Sequence, residues 1–137
     1  MTENFYRWDS TVRDYELDSQ GIVNNAIYIN YFEQCRNDFA RALDIDFIEF
    51  HKAGYLLVVA TMEVQYRLPL RAQDKFYVTA TISGYDKKRV HFEQEIRRSV
   101  DDKLLTKALV HVACVDLSTG KAGMPDIFKN KFENFFV

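Results

Sequence analysis

Asn24-Asn25-Ala26-Ile27-Tyr28-Ile29-Asn30-Tyr31-Phe32-Glu33-Gln34-Cys35-Arg36-Asn37-Asp38-Phe39-Ala40-Arg41-Ala42 reads as one long helix. Tyr28, Phe32, Cys35, Phe39 and Ala42 recur at three- and four-residue spacing, the repeat that lines one face of an α-helix. Either Asn24 or Asn25 is suited to cap its first turn. Ile27, Ile29 and Tyr31 add apolar groups off that stripe before Asp38 and Arg41 restore a polar side, so the helix is expected to be wrapped on more than one side.

Outward from this helix the apolar period drops to two, the signature of strands. Before it, residues 6–12 place Tyr6, Trp8 and Val12 on one side and Arg7, Asp9 and Arg13 on the other. After it, a short helical piece at residues 46–52 ends at Ala53-Gly54, and strand chemistry follows at 55–66, 76–83, 89–98 and 104–115. The links at 68–74, 84–88 and the Asp101-Asp102 hairpin are short, which predicts antiparallel neighbours. Phe128, Phe132, Phe135 and Phe136 have roughly helical spacing and predict a helix or turn packed on the chain's own core. Strand, long helix, then four strands is an α+β arrangement in which five antiparallel strands curl around the helix. Its exposed edge needs covering or a partner.

Composition agrees with one compact domain over residues 1–137: hydrophobic residues make up 47% of the chain and charged residues 28%. Lys and Arg number 18 against 20 Asp and Glu, a net charge of -2, so no broad positive field exists to hold nucleic acid. The longest uncharged stretch, residues 53–62, is too short for a membrane helix, and the first residues lack a basic-then-apolar leader, so a soluble, cytoplasmic protein is expected. Cys35 and Cys114 sit in apolar runs without metal or redox spacing and are expected to be free, buried thiols. No Gly-rich nucleotide loop or G-x-S-x-G elbow occurs, and His51, His91 and His111 have no metal-ligand spacing, which assigns them structural roles.

The remaining place for chemistry is residues 15–25, where the carboxylate of Asp18 precedes Gly21 and a helix start. The first turn of a helix carries unpaired N–H groups and partial positive charge, which polarise a carbonyl and hold the oxyanion formed on attack. A carboxylate beside it is placed to attack that carbonyl or to deprotonate a water that does. The residue types also suit a plain turn in which Asp18 only binds backbone.

The ordered set Val12-Arg13-x-Tyr15-x-x-Asp18-x-x-Gly21-x-Val23-Asn24-Asn25-x-x-Tyr28, then Tyr31-Phe32-Glu33-x-x-Arg36, resembles the hot-dog-fold acyl-CoA thioesterases of the 4-hydroxybenzoyl-CoA thioesterase family. The likeness continues through Tyr66-Arg67-x-Pro69-Leu70-Arg71-x-x-Asp74, His91-Phe92-Glu93-Gln94-Glu95-Ile96 and Val115-Asp116-x-x-Thr119-Gly120-Lys121-x-x-x-Met124-Pro125. It implies a hot-dog fold, a five-stranded antiparallel sheet wrapped around one long central helix, pairing edge to edge into a homodimer or tetramer with sites at the subunit interface. By the same resemblance Asp18 is nucleophile or general base, the backbone N–H of Asn25 binds the thioester oxygen, and Gly21 makes the turn between them. No metal or cofactor is implied beyond the coenzyme A carried by the substrate, and Lys87, Lys88 and Arg89 are candidates to hold that moiety, although a solvated hairpin turn has the same composition.

Where many relatives have a histidine this chain has Ile22, so acyl preference does not transfer. Asn24-Asn25 is also similar to acyl-carrier-protein thioesterases, which keeps a carrier-protein thioester beside acyl-CoA as the substrate. Glu33 matches a helical acid of the family and is expected to pair with Arg36 or Asn37. The hydratases of this fold need a nearby Asp and His, and His51 lies beyond the helix. A non-catalytic acyl-CoA-binding hot-dog module needs only the pocket and stands as the alternative to the thioesterase.

Overall fold

The computed structural model describes residues 5–132. It contains β1 (Tyr6–Thr11), α1 (Asn25–Ala42), α2 (Phe47–Lys52), β2 (Tyr55–Tyr66), β3 (Lys75–Tyr85), β4 (Arg89–Arg98), β5 (Lys103–Asp116), β6 (Lys121–Ala122) and α3 (Asp126–Phe132). The strands form one antiparallel sheet in the order β1-β3-β4-β5-β2, with the two-residue β6 paired to β5. This is the hot-dog arrangement: the sheet curls around α1, and β6 is an addition to the five strands expected.

Asn24 is the helix cap, its Oδ1 accepting from the Ala26 N–H at 3.0 Å. At the other end Asp44 takes a φ of 59°, and the chain leaves the helix there. Replacing Asn24 with Ala is expected to lower stability by about 1 kcal/mol, measured by urea denaturation. Tyr28, Tyr31, Phe32, Cys35, Arg36 and Phe39 form the buried face. Ile27 is half-buried and packs on the core, whereas Ile29, expected to be enclosed, is exposed.

The sheet meets α1 through rows of residues from successive strands. Ile82, Phe92, Val110 and Met62 form one row, and Ala80, Gln94, Ala108 and Val64 the next. The small side chains of Ala80 and Ala108 flank Gln94 and leave room for the helix to approach it. Gln94, fully buried, accepts from Arg36 Nη1 at 2.8 Å and donates to the Phe32 carbonyl at 3.1 Å. A buried amide is tolerated because both ends are satisfied. Phe128 of α3 is buried against Phe50 of α2, ring centroids 5.0 Å apart, as the tail pattern predicts; Phe135 and Phe136 lie outside the described residues.

One expectation fails. The short 68–74 link predicts β2 beside β3, but β2 pairs with β5 and the two strands occupy opposite sides of the sheet. The nine steps from Tyr66 to Lys75 reach about 30 Å when extended, enough to cross the mouth of a curled sheet. On the way the segment is held by bonds from Arg67 N–H and Leu68 N–H to the Leu105 carbonyl, at 2.9 and 3.1 Å. Among the described residues no helix is long and apolar enough to cross a membrane.

Candidate active site

The crossing segment and the polar segment before α1 build one groove together. Val23 N–H donates to the Leu70 carbonyl at 2.9 Å, and Ile22 forms a bridge with Arg71. Leu70 N–H in turn donates to the Tyr28 hydroxyl at 2.9 Å, which ties the segment to the first turns of α1. The groove, about 360 Å3, is lined by Asp18, Ile22, Asn25, Tyr28, Tyr66 and Leu68, among others. Tyr66 closes one side, its hydroxyl donating to the Asn25 carbonyl at 2.9 Å.

Asp18 heads a tight turn. Its Oδ1 accepts from the N–H of Gln20 at 2.8 Å and of Ile22 at 3.4 Å, and Gly21 supports the turn with a φ of +80°, a conformation L side chains disfavour. Oδ2 has no protein partner among the described residues. A three-residue 3-10 turn, Asp14–Glu16, steers the chain into this loop. Glu16 is buried there, its Oε1 accepting from Arg13 N–H and from the Tyr31 hydroxyl, both at 2.8 Å. Burial and the adjoining carboxylate push the Tyr31 hydroxyl far above the usual tyrosine pKa, so it stays a donor to Glu16.

The start of α1 is nearly saturated. Asn24 N–H donates to the Glu16 carbonyl at 3.0 Å, Ala26 N–H to Asn24 Oδ1, and Ile27 N–H to the Asn24 carbonyl at 2.9 Å. Asn25 N–H alone of these four has no acceptor among the described residues. It belongs to a residue that lines the groove with Asp18. Asp18 and Asn25 therefore line one groove, and Gly21 turns the chain between them.

Lys87, Lys88 and Arg89 are not. They follow β3, whose first residue adjoins the loop end and whose eleven residues carry the chain about 30 Å away. The turn is well anchored: Asp86 Oδ1 accepts from the N–H of Lys88 and Arg89 at 2.7 and 2.9 Å, while the Lys87 and Lys88 carbonyls accept from Met124 and Cys114 N–H. Those backbone bonds, with His91 beside them, hold the Asp86 carboxyl below its ordinary pKa.

Among the described residues Glu33 forms neither an ion pair with Arg36 nor a hydrogen bond with Asn37; Arg36 bonds Gln94 instead, and the Glu33 charge acts on it only from a distance. His91 and His111 stack across β4 and β5 with ring centroids 4.0 Å apart and do not line the groove, and His51 is exposed on α2. Cys35 and Cys114 are free and buried, and burial pushes their thiols up to about 12 and about 11, which leaves them inert. Sequence reasoning gives Tyr66 no role beyond its place in the family likeness, and it does not mark Glu16. Tyr66 reaches the groove only because β2 lies on the far edge, and nothing local marks Glu16 as buried.

The model of the thioesterase-like superfamily matches residues 12–132. The chloroplastic acyl-acyl carrier protein thioesterase ATL3 of Arabidopsis thaliana is 32% identical over 131 residues, covering 96% of this chain and 69% of that one. The acyl-CoA thioesterase YbgC of Haemophilus influenzae is 29% identical over 124 residues, with 88% of each chain covered. Among solved structures, the protein SAV2348 of Staphylococcus aureus, determined in complex with CoA, superposes with a TM-score of 0.90 at 22% identity, covering 98% of this chain and 85% of that one, a likeness of fold. The sequence match runs from the residue after β1 through the Asp18 loop and the whole of α1 to the last residue of α3, and the chain belongs to the thioesterase-like superfamily.

Proposed function

We propose that this chain hydrolyses acyl thioesters, of coenzyme A or of acyl carrier protein, to the free acid and thiol at the groove between the Asp18 loop and the start of α1. The observation that carries the reading is the pairing of an unbonded helix N–H, that of Asn25, with a carboxylate that has one oxygen unbonded, that of Asp18, in one groove. The Asn25 N–H and the helix end receive the thioester oxygen and stabilise the charge that develops on it. Asp18 Oδ2 attacks the carbonyl carbon, expelling thiolate to leave an acyl-aspartyl anhydride that water opens, or it takes a proton from the water that attacks directly. A burst of thiol ahead of steady-state turnover marks the first route. Both draw on protein groups and water, with no metal or bound cofactor. The relatives named as acyl-acyl carrier protein and acyl-CoA thioesterases support both thiol carriers as substrates.

The site is completed by a second copy of the chain. β2 is an edge strand with Leu56, Val58 and Val59 exposed, and an unpaired edge of this kind takes up another strand. Antiparallel pairing of two β2 strands sets the start of one beside the end of the other. Arg89, Ala113 and Val58 form one row near the start of β2, and the groove adjoins Tyr66 at its end. The pairing therefore carries the partner's basic turn toward the groove, where it meets the anionic end of coenzyme A. Thiol release from a panel of short, long and aromatic acyl-CoAs and acyl-carrier-protein thioesters tests the reading. Turnover of at least one class is expected; no release from either carrier refutes it.

A further inference from the structure

Away from the thioester groove, a second cavity of about 100 Å3 lies between α1 and the β2, β5 and β4 side of the sheet. That is the space of roughly three water molecules in the liquid. Its walls are mostly apolar, with Phe39, Leu57, Val90, Phe92 and Val112, except where Glu33, Arg36 and Asn37 join them. Arg36 is only 8% exposed, and among the described residues its side chain bonds Gln94 alone, from Nη1. The other guanidinium donors have no hydrogen-bond acceptor among the described residues, and Glu33 on the same wall acts on the cation through its charge without forming an ion pair with it. None of these donors is sealed from solvent, and an acyl chain that fills the space takes that water away, a loss that an oxygen acceptor at the end of the chain offsets.

α1 and β2 flank both spaces: Tyr28 and Tyr66 border the groove, Phe39 and Leu57 the cavity. Asn25 and Arg36 are eleven residues apart on one helix, about 16 Å along its axis. Resting on the thioesterase reading, we propose that this cavity receives the far end of the acyl chain, and that Arg36 selects acyl groups bearing an acceptor oxygen there, hydroxyl or carboxylate, over plain hydrocarbon ends. Arg36 is then a specificity residue remote from the reacting carbon. The shape of the cavity sets where along the chain the oxygen must lie.

The test compares kcat/KM for acyl-CoAs of one chain length ending in methyl, hydroxyl or carboxyl, across several lengths. At the best length, wild type is expected to prefer one oxygenated end by about tenfold, since a buried donor set discriminates against a chain that leaves it unpaired. The hydroxyl and carboxyl arms say which oxygen it takes. In Arg36→Met that ratio falls to near unity, and Arg36→Lys, which keeps the cation, restores part of it. A wild-type preference for the methyl end at every length, or a ratio that survives in Arg36→Met, overturns the proposal. Should Arg36→Met fail to fold, the wild-type ratios still decide it. Calorimetry with the free hydroxy acids and diacids against plain fatty acids separates the two readings. Tighter binding of the oxygenated acids with no thiol release from any thioester upholds the cavity assignment while the hydrolase reading fails, and equal or weaker binding of them refutes the cavity assignment.

Discussion

Asp18→Asn is expected to lower kcat by about three orders of magnitude while leaving thermal stability close to wild type. The reasoning turns on which oxygen does what. Oδ1 accepts from Gln20 and Ile22 N–H and so holds the turn, a task that an amide carbonyl performs equally well. Oδ2 is the oxygen without a protein partner, and in Asn its place is taken by an NH2 group that neither attacks a carbonyl nor accepts a proton from water. The substitution therefore separates a turn residue from a reacting one. Asp18→Ala removes both functions and is expected to lose about 1 kcal/mol of stability as well as activity. Thiol release at matched folded concentration, with a melting curve for each variant, measures both. An Asn variant as active as wild type makes Asp18 a turn residue only, and the non-catalytic acyl-binding reading takes over.

The same loop illustrates what is legible from residues alone. Periodicity places α1, with the cap narrowed to Asn24 or Asn25, and the strand expected at 89–98 is observed as Arg89–Arg98, because the helical and extended repeats are imposed by burial on one face and need no distant information. The meeting of Asp18 with Asn25 is also local: seven residues containing one left-handed glycine leave few ways to connect the turn to the helix. The position of β2 is not local. A short link limits how far a strand lies from the next one, not on which side of a curled sheet, and the groove wall made by Tyr66 and Leu68 depends on that choice. Arg36 is hidden for a similar reason. A charge three residues from Glu33 reads as a helix-surface pair, and only the approach of β4, permitted by Ala80 and Ala108, puts Gln94 where it draws the guanidinium inward. The separation of Lys87, Lys88 and Arg89 from Asp18 is likewise a property of strand direction, invisible in a motif that records only their order.

That separation yields a prediction about subunits. If the basic turn serves the partner's groove, mixed dimers must behave differently from either parent. Take one chain carrying Asp18→Asn and another carrying Lys87→Ala, Lys88→Ala and Arg89→Ala, each nearly inactive at substrate concentrations well below KM. In a mixed dimer both lesions fall in one groove, because the groove of the Asp18→Asn chain is served by the alanine chain's turn, and the other groove combines an intact loop with an intact turn. Random re-pairing makes about half the dimers mixed, each with one working groove, so about a quarter of wild-type activity is expected to return after the two proteins are unfolded and refolded together. Were the turn to serve its own chain's groove, every groove in the mixture would carry a lesion and no activity would return. A third chain carrying Val58→Lys, which sets a charge on the exposed β2 edge, is expected to sediment as a monomer and to stay inactive even when mixed with either parent. A monomer of that variant with full activity would show that the groove needs no second copy. The turn's three cations would then be nothing more than a solvated hairpin held by Asp86.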